Sequence, residues 1–261
     1  MKKSANPIPA SDDPQSNERS TSQTVKAQLK LRELILSGDL PSGVRIAELS
    51  LVETLRASRT PIRAALALLE QEGLLQALPS GGFAVASFSE RDIADSIELR
   101  GSLEGLLARL AAERGAAPIV LAEARSSLQV IDALLRQSTL PDESFSQYVA
   151  ANKRFHTLLA EMGASDVIAR QLERINRLPF ASPSAFVIAQ SSAADSRDML
   201  VVAQAQHWQV LDAIERREGT RAEAIMREHS RIAQRNLRFV VEHHGGPAVP
   251  PVPGLQLIRR R

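Results

Sequence analysis

The sequence predicts a mainly α protein in two parts: an N-terminal winged helix-turn-helix (three helices plus a β-hairpin wing), then an antiparallel all-helical bundle of six or seven helices. Three observations carry this. The 261 residues suffice for two compact domains, and a composition of 44% hydrophobic but only 3% aromatic residues suits helices better than a β-core. Between residues 21 and 88, short apolar segments alternate with turn signals. From 89 to 243, one long amphipathic segment follows another with short connections.

Taken in order, residues 1–20 are rich in Pro, Ser, Asn and Asp without hydrophobic periodicity, which predicts a disordered tail. Val25, Leu29, Leu31, Leu34 and Ile35 then form a helical stripe that stops at Ser37-Gly38-Asp39. A loop with Pro41 and Gly43 leads to a second short helix at about 47–56. The third opens at Ser58, a suitable N-cap, with Pro61 in the first turn where a missing N–H costs nothing. Ile62, Leu66 and Leu69 form its buried side as far as Gly73. Residues 74–78, 79–82 and 83–85 read as strand, tight turn and strand, completing the wing.

In the second part, Ile93, Ile97, Leu99, Leu103, Leu106, Leu107 and Leu110 carry one long helix to Arg114-Gly115. Further helices are predicted at about 118–137, 143–162 and 165–178. A break from Pro179 to Pro183 follows, and the stretch to Asp195 has room for a short seventh helix. The last two run over about 194–217 and 219–243. Residues 244–261 form a Pro-rich basic tail ending in Arg259-Arg260-Arg261, expected to be solvated.

A net charge of +2 means that any contact with nucleic acid must come from a local patch. The absence of cysteine excludes disulfide scaffolds, thiolate zinc sites and cysteine nucleophiles. No apolar run is long enough to span a bilayer, and Met1-Lys2-Lys3-Ser4 leads into a polar stretch; the expectation is a cytoplasmic protein with no membrane partner.

The third helix points to double-stranded DNA. Arg59, Thr60 and Arg63 share the exposed face of its N-terminal end, with Ser58 at the cap and Arg56 just before the turn. A helix start offers free N–H groups and a positive dipole end to a phosphate, and arginine can bond guanine with two parallel hydrogen bonds. Gly81-Gly82 in the wing has no bulky side chain and could lie close to a minor groove. The plainer alternative, for any one arginine, is that it solvates a helix face.

Residues 29–85 resemble the GntR-type winged helix, through Ser58-Arg59-Thr60-Pro61-Ile62-Arg63, then Leu69-Glu70, Glu72-Gly73-Leu74 and Gly82 to Val85. The resemblance implies that Ser58, Arg59, Thr60 and Arg63 read and position operator DNA. Leu49 stands where some members carry an Arg that touches DNA, so that contact is absent here.

The remaining chemistry lies in the second part. His156 follows Asn152 by one helical turn, His207 begins an inward face with Val210, Leu211 and Ile214, and His229 lies beside Ile225, Met226 and Ile232. His243 and His244, at the end of the last helix, are expected to be solvated. One histidine on an apolar face is usually a satisfied core residue; three on separate helices suit a divalent metal such as zinc, nickel, cobalt or iron(II).

Residues 90–240 resemble the FCD ligand-binding domain of the FadR branch of GntR regulators, through Ile97-Glu98-Leu99-Arg100, Leu103-Glu104-Gly105, Asn152-x-x-Phe155-His156, His207, Met226-Arg227 and His229. This implies Asn152, His156, His207 and His229 as ligands of a divalent metal, zinc or nickel, and Arg100 as a clamp for the carboxylate of a small organic acid effector. Many relatives carry Asp at the position of Asn152; the neutral amide leaves the site the ion's full charge, which should weaken metal retention and favour an anionic ligand. The alternative for Arg100 is an intramolecular salt bridge, for example with Glu104 one turn on.

Together these predict a ligand-responsive transcriptional regulator, commonly a repressor in the family, acting as a homodimer on a two-fold operator. Two rivals stay open at this point: a metal-dependent enzyme acting on a small acid, and an architectural DNA-binding protein with a purely structural bundle. Against the enzyme, the sequence has no His-Glu-x-x-His, no paired Glu-x-x-His and no evident general base beside the ligands.

Overall fold

The computed structural model describes residues 14–137, 141–178, 180–183, 194–242 and 253–259. Contacts divide the chain into two compact units, between Ala86 and Ser87.

In the first unit, α1 (Pro14–Ser37), α2 (Glu48–Leu55) and α3 (Arg59–Gln71) precede the antiparallel hairpin β1 (Leu75–Ala77) and β2 (Phe83–Val85). Helix α1 already begins at Pro14, inside the segment expected to be a disordered tail. Its core face is Ala27, Leu31 and Ile35, spaced four apart and buried, whereas Val25 and Leu29 of the predicted stripe are exposed. A small residue, Ala27, sets the phase of that face, which a count of large apolar residues misses. Gln28 and Arg32 of α1 both bond the Glu72 carboxylate at the end of α3, tying these helices together. Helix α3 buries Ile62, Leu66 and Leu69 fully.

The expected loop around Gly43 does more than connect. Gly43 N–H and Ile46 N–H donate to the carbonyls of Val85 and Phe83, and Val85 N–H donates to Val44. Residues 44–46 thereby edge the hairpin as a further extended segment, with Arg45 bridged to Ala84.

The second unit opens with β3 (Phe88–Ser89), then α4 (Glu90–Arg114), α5 (Pro118–Leu135), α6 (Asp142–Met162), α7 (Asp166–Asn176), α8 (Ala194–Glu215) and α9 (Gly219–Glu242). These are six helices among the described residues; most of the stretch where a seventh was expected lies outside them, as do His243 and His244. A capping box starts α4: Ser89 Oγ accepts from Asp92 N–H while the Asp92 carboxylate accepts from Ser89 N–H. Helix α4 packs against α6, α7, α8 and most extensively α9. Leu99 departs from its predicted stripe and is exposed, while Arg100 and Glu104 take buried positions instead.

Two glycines bring α9 onto α4. A Cβ at Gly101 would stand 2.2 Å from Ser230 Oγ, and one at Gly105 would stand 2.8 Å from Arg227 Cγ. This close approach sets His229 of α9 beside Arg100 of α4. Around them, Leu128, Ile131, Tyr148, Phe155, Leu158, Val210, Leu211 and Met226 form the apolar core.

The end of the chain differs from the solvated tail expected over 244–261. A 3-10 turn at Leu255–Leu257 leads into β4 (Ile258–Arg259), which pairs in parallel with β3. Leu255 and Leu257 are buried, and that burial stabilises the return of the chain after its Pro-rich run. Arg260 and Arg261 lie outside the described residues.

Candidate functional site

In the first unit, the predicted DNA-facing residues cluster at the start of α3. Arg56 closes α2 in the left-handed conformation (φ 49°, ψ 40°), which turns the chain sharply into α3. Ser58 is extended at the N-cap position, but its side chain makes no capping hydrogen bond. The first amides of the helix are therefore left by Ser58 for another acceptor. Arg59 and Thr60 are exposed beside them. Arg63 is exposed too, and pairs with Glu48 of α2 at 3.3 Å. Gly81 and Gly82 both take positive φ (83° and 81°), a conformation that favours glycine, and close the wing turn. Sequence reasoning missed Arg45, whose Nη2 donates to Gly81 O at 2.9 Å and places a guanidinium on the wing. The β-branched Val44 and Ile46 on either side of it were the available signal for an extended segment.

In the second unit, the predicted ligands come together. His156 from α6, His207 from α8 and His229 from α9 are all buried, with ligand nitrogens within 4.8 Å of one another. Asn152, one turn before His156, is buried as well and lines a cavity with His229 and Arg100.

The surrounding hydrogen bonds settle which ring nitrogen each histidine presents. Gln204 Nε2 donates to Leu128 O at 2.9 Å and to Asp132 Oδ1 at 2.7 Å, so its Oε1 accepts from His207 Nδ1 at 3.2 Å. Gln206 Oε1 stands 3.2 Å from His229 Nδ1, and Glu104 Oε1 stands 2.8 Å from His156 Nδ1. Each Nδ1 thus faces a side-chain oxygen, and in neutral rings that donate through it each Nε2 keeps its lone pair.

The ligand nitrogens of the three rings converge. His207 Nε2 and His229 Nε2 are 3.1 Å apart, and the buried His156 Nε2 has no hydrogen-bond partner. Bare lone pairs at that separation repel unless a cation lies between them. Tetrahedral zinc with Zn–N bonds of ~2.0–2.1 Å places its nitrogens about 3.3 Å apart, so the donor set fits a divalent metal. Burial holds the His207 and His229 imidazoles well below their usual pKa, the direction that favours the neutral ring a metal ligand needs.

Glu104 was weighed in the sequence only as a partner for Arg100, and that salt bridge is present: Arg100 Nη1 donates to Glu104 Oε2 at 2.7 Å. The second role of Glu104, on His156, was missed. Burial pushes its carboxyl up, but Arg100 and His156 outweigh burial and hold it below the ordinary range. Arg100 Nε is buried without a partner. The cavity beside it, lined among others by Tyr148, Asn152, Leu200, His229 and Asn236, leaves about 30 Å³ open to the centres of water-sized molecules.

Comparison with known proteins accords with both halves. Residues 21–85 match the description "Bacterial regulatory proteins, gntR family", and residues 95–231 match "FCD domain". An HTH-type transcriptional regulator in an unstable DNA locus of Streptomyces ambofaciens is 30% identical over 82% of this chain and 85% of its own length. The HTH-type transcriptional repressor GlaR of Escherichia coli is 29% identical over 65% of this chain and 74% of its own. Among solved structures, McbR/YncC of E. coli shares the fold, with a TM-score of 0.56 at 20% identity over 85% of this chain and 99% of that one. No helix among the described residues is long and apolar enough to cross a membrane.

Proposed function

The chain belongs to the gntR family of bacterial regulatory proteins with an FCD domain, a DNA-binding transcriptional regulator rather than an enzyme, and on that premise we propose that it is a metal-dependent sensor of a small organic acid. The observation that carries the proposal is the meeting of three buried histidines with ligand nitrogens within 4.8 Å of one another, the Nε2 atoms of His207 and His229 3.1 Å apart.

In this reading His156, His207, His229 and Asn152 hold a divalent ion, zinc or nickel. Three neutral imidazoles and a neutral amide leave the ion its full charge, which favours an anion in the remaining positions. The metal, when bound, supplies Lewis acidity toward a carboxylate oxygen. Arg100 stands at the same cavity with Nε unpartnered, and its guanidinium grips the rest of the acid.

In the first unit, Arg59 and Arg63 read base edges, while Arg56, Ser58, Thr60 and Gly82 position the backbone of the duplex. A homodimer engages a two-fold operator, and the acid shifts its affinity for that operator; linkage requires the operator to shift the affinity for the acid by the same factor. The regulator acts as a repressor released by its acid, the sign that the name of the E. coli relative carries.

The test is selection of DNA from a random pool by the full-length, zinc-loaded protein, followed by anisotropy titrations with and without candidate acids. A two-fold symmetric site whose affinity falls with one acid supports the reading. Operator affinity that no acid changes, in protein known to hold metal, overturns it.

A further inference from the structure

Among the groups that back the three histidines, one differs in kind. His207 and His229 rest on the neutral amides of Gln204 and Gln206, but His156 rests on a carboxylate. That carboxylate is fully buried, and its second oxygen takes Arg100 Nη1 at 2.7 Å. One group therefore serves both the candidate metal ligand and the candidate anion clamp, within a single turn of α4.

We propose that Glu104 is a positioning residue that couples the metal triad to Arg100, by accepting from His156 Nδ1 with one oxygen and from Arg100 with the other. The inference rests on the metal reading above. Its logic is one of donors and acceptors. A carboxylate offers an acceptor to each neighbour at once, and both neighbours are donors. An amide of the same shape has one acceptor and one donor end. If it accepts from Arg100, its NH2 faces His156 Nδ1, and the ring must move its proton to Nε2, where a metal would bind. If it accepts from His156 instead, its NH2 faces the guanidinium, and Arg100 is left buried and unpaired. Only the charged side chain holds both neighbours in their working states.

The same sharing makes the two sites interdependent. A ligand carboxylate that draws Arg100 toward itself loosens its hold on Glu104 and leaves that charge freer to support His156 and its metal. Acid binding and metal retention then strengthen one another.

The experiment compares the full-length protein with Glu104→Gln and with the double variant Arg100→Met/Glu104→Gln. Zinc affinity is measured by competition with a chromophoric chelator. The His156 tautomer of the metal-free proteins is read from ¹⁵N chemical shifts of its ring. Glu104→Gln is expected to weaken zinc binding roughly 10–100-fold, the usual cost of losing an outer partner of a ligating histidine. It is also expected to move His156 from the Nδ1–H form toward Nε2–H. In the double variant, no guanidinium competes for the amide oxygen, so the Nδ1–H form and most of the zinc affinity should return. That rescue also guards against a fold lost through an unpaired buried arginine, because the double variant removes that charge.

A purely structural role for Glu104 would make the double variant bind zinc no better than the single one, and that result overturns the proposal. So does an unchanged tautomer and affinity in Glu104→Gln. Wild-type protein that takes up no zinc overturns the metal reading, and the coupling with it. That failure is distinct, because it appears before any substitution is made.

Discussion

His207 Nε2 lies 3.1 Å from His229 Nε2, and the Nδ1 of each ring is committed to a glutamine oxygen on its far side. Each ring has spent its one proton away from the other. Two facing lone pairs in a buried, low-dielectric site are unfavourable without a positive charge between them. In the proposed reading, the outer hydrogen bonds hold these rings ready for a cation.

Replacing His207 and His229 together with alanine should strip the protein of bound metal. Two of three imidazole donors are lost, while Asn152 and His156 alone make a weak site. Elemental mass spectrometry of the purified protein checks this; metal content unchanged from wild type would place the ion elsewhere.

Arg59→Ala should remove operator preference while leaving metal content and oligomeric state as they are. Loss of a bidentate contact to a guanine costs ~1–3 kcal/mol of discrimination, or roughly 5–150-fold in affinity for the right site over the wrong one. Arg59 is exposed on α3, so folding should be unaffected. Binding assays on the selected operator and on a scrambled duplex provide the measurement, and equal discrimination by variant and wild type would sink the assignment.

The candidate site residues were more legible than the groups around them. Helical periodicity and the spacing of His156, His207 and His229 pointed inward correctly, because a helix face is a property of local sequence. The partners of His156 and His229 were not legible in this way, although Gln204 precedes His207 by only three residues on α8. Glu104 and His156 are 52 positions apart, and Gln204 reaches Leu128 across 76. Contacts of that kind depend on how helices cross, which periodicity does not encode. The crossing of α4 and α9 in turn depends on Gly101 and Gly105, residues that contribute nothing to a hydrophobic pattern. At the chain end, Leu255 and Leu257 were masked by the prolines before them.

Gly101→Ala should destabilise the helical unit by about 1–3 kcal/mol, the usual cost of overpacking. The added methyl would meet Ser230 Oγ at 2.2 Å and Ser230 Cβ at 2.4 Å, and Cβ cannot rotate away, so α9 must move. Because α9 carries His229, zinc affinity should fall as well. Chemical denaturation and a zinc titration test the two effects; a variant as stable as wild type would show that the helices are not in close contact there.

Ser89→Ala should cost about 1 kcal/mol by opening the capping box of α4. Hydrogen bonds from Ser89 hold the Asp92 carboxyl below its usual 3.8. A folded-state pKa lowered in this way contributes stability above the unfolded value, and loses it as pH falls through the lowered one. The difference between variant and wild type should therefore be full above pH ~5 and shrink in acid below pH ~4. Melting curves across that range would show it; a gap that widens in acid would contradict the assignment.

The central claim is that a metal and an acid meet in the helical unit. The most direct measurement is a thermal-shift screen of the zinc-loaded protein against small carboxylic acids, sugar acids and aromatic acids, repeated with chelator. An acid present at a hundred times its Kd adds about 2.7 kcal/mol to stability, which moves the melting point visibly. At least one such acid should raise the melting point, with its shift lost on adding chelator. If no acid shifts protein that demonstrably holds zinc, or if a shift survives removal of the metal, the metal and the effector do not share a site and the claim is contradicted.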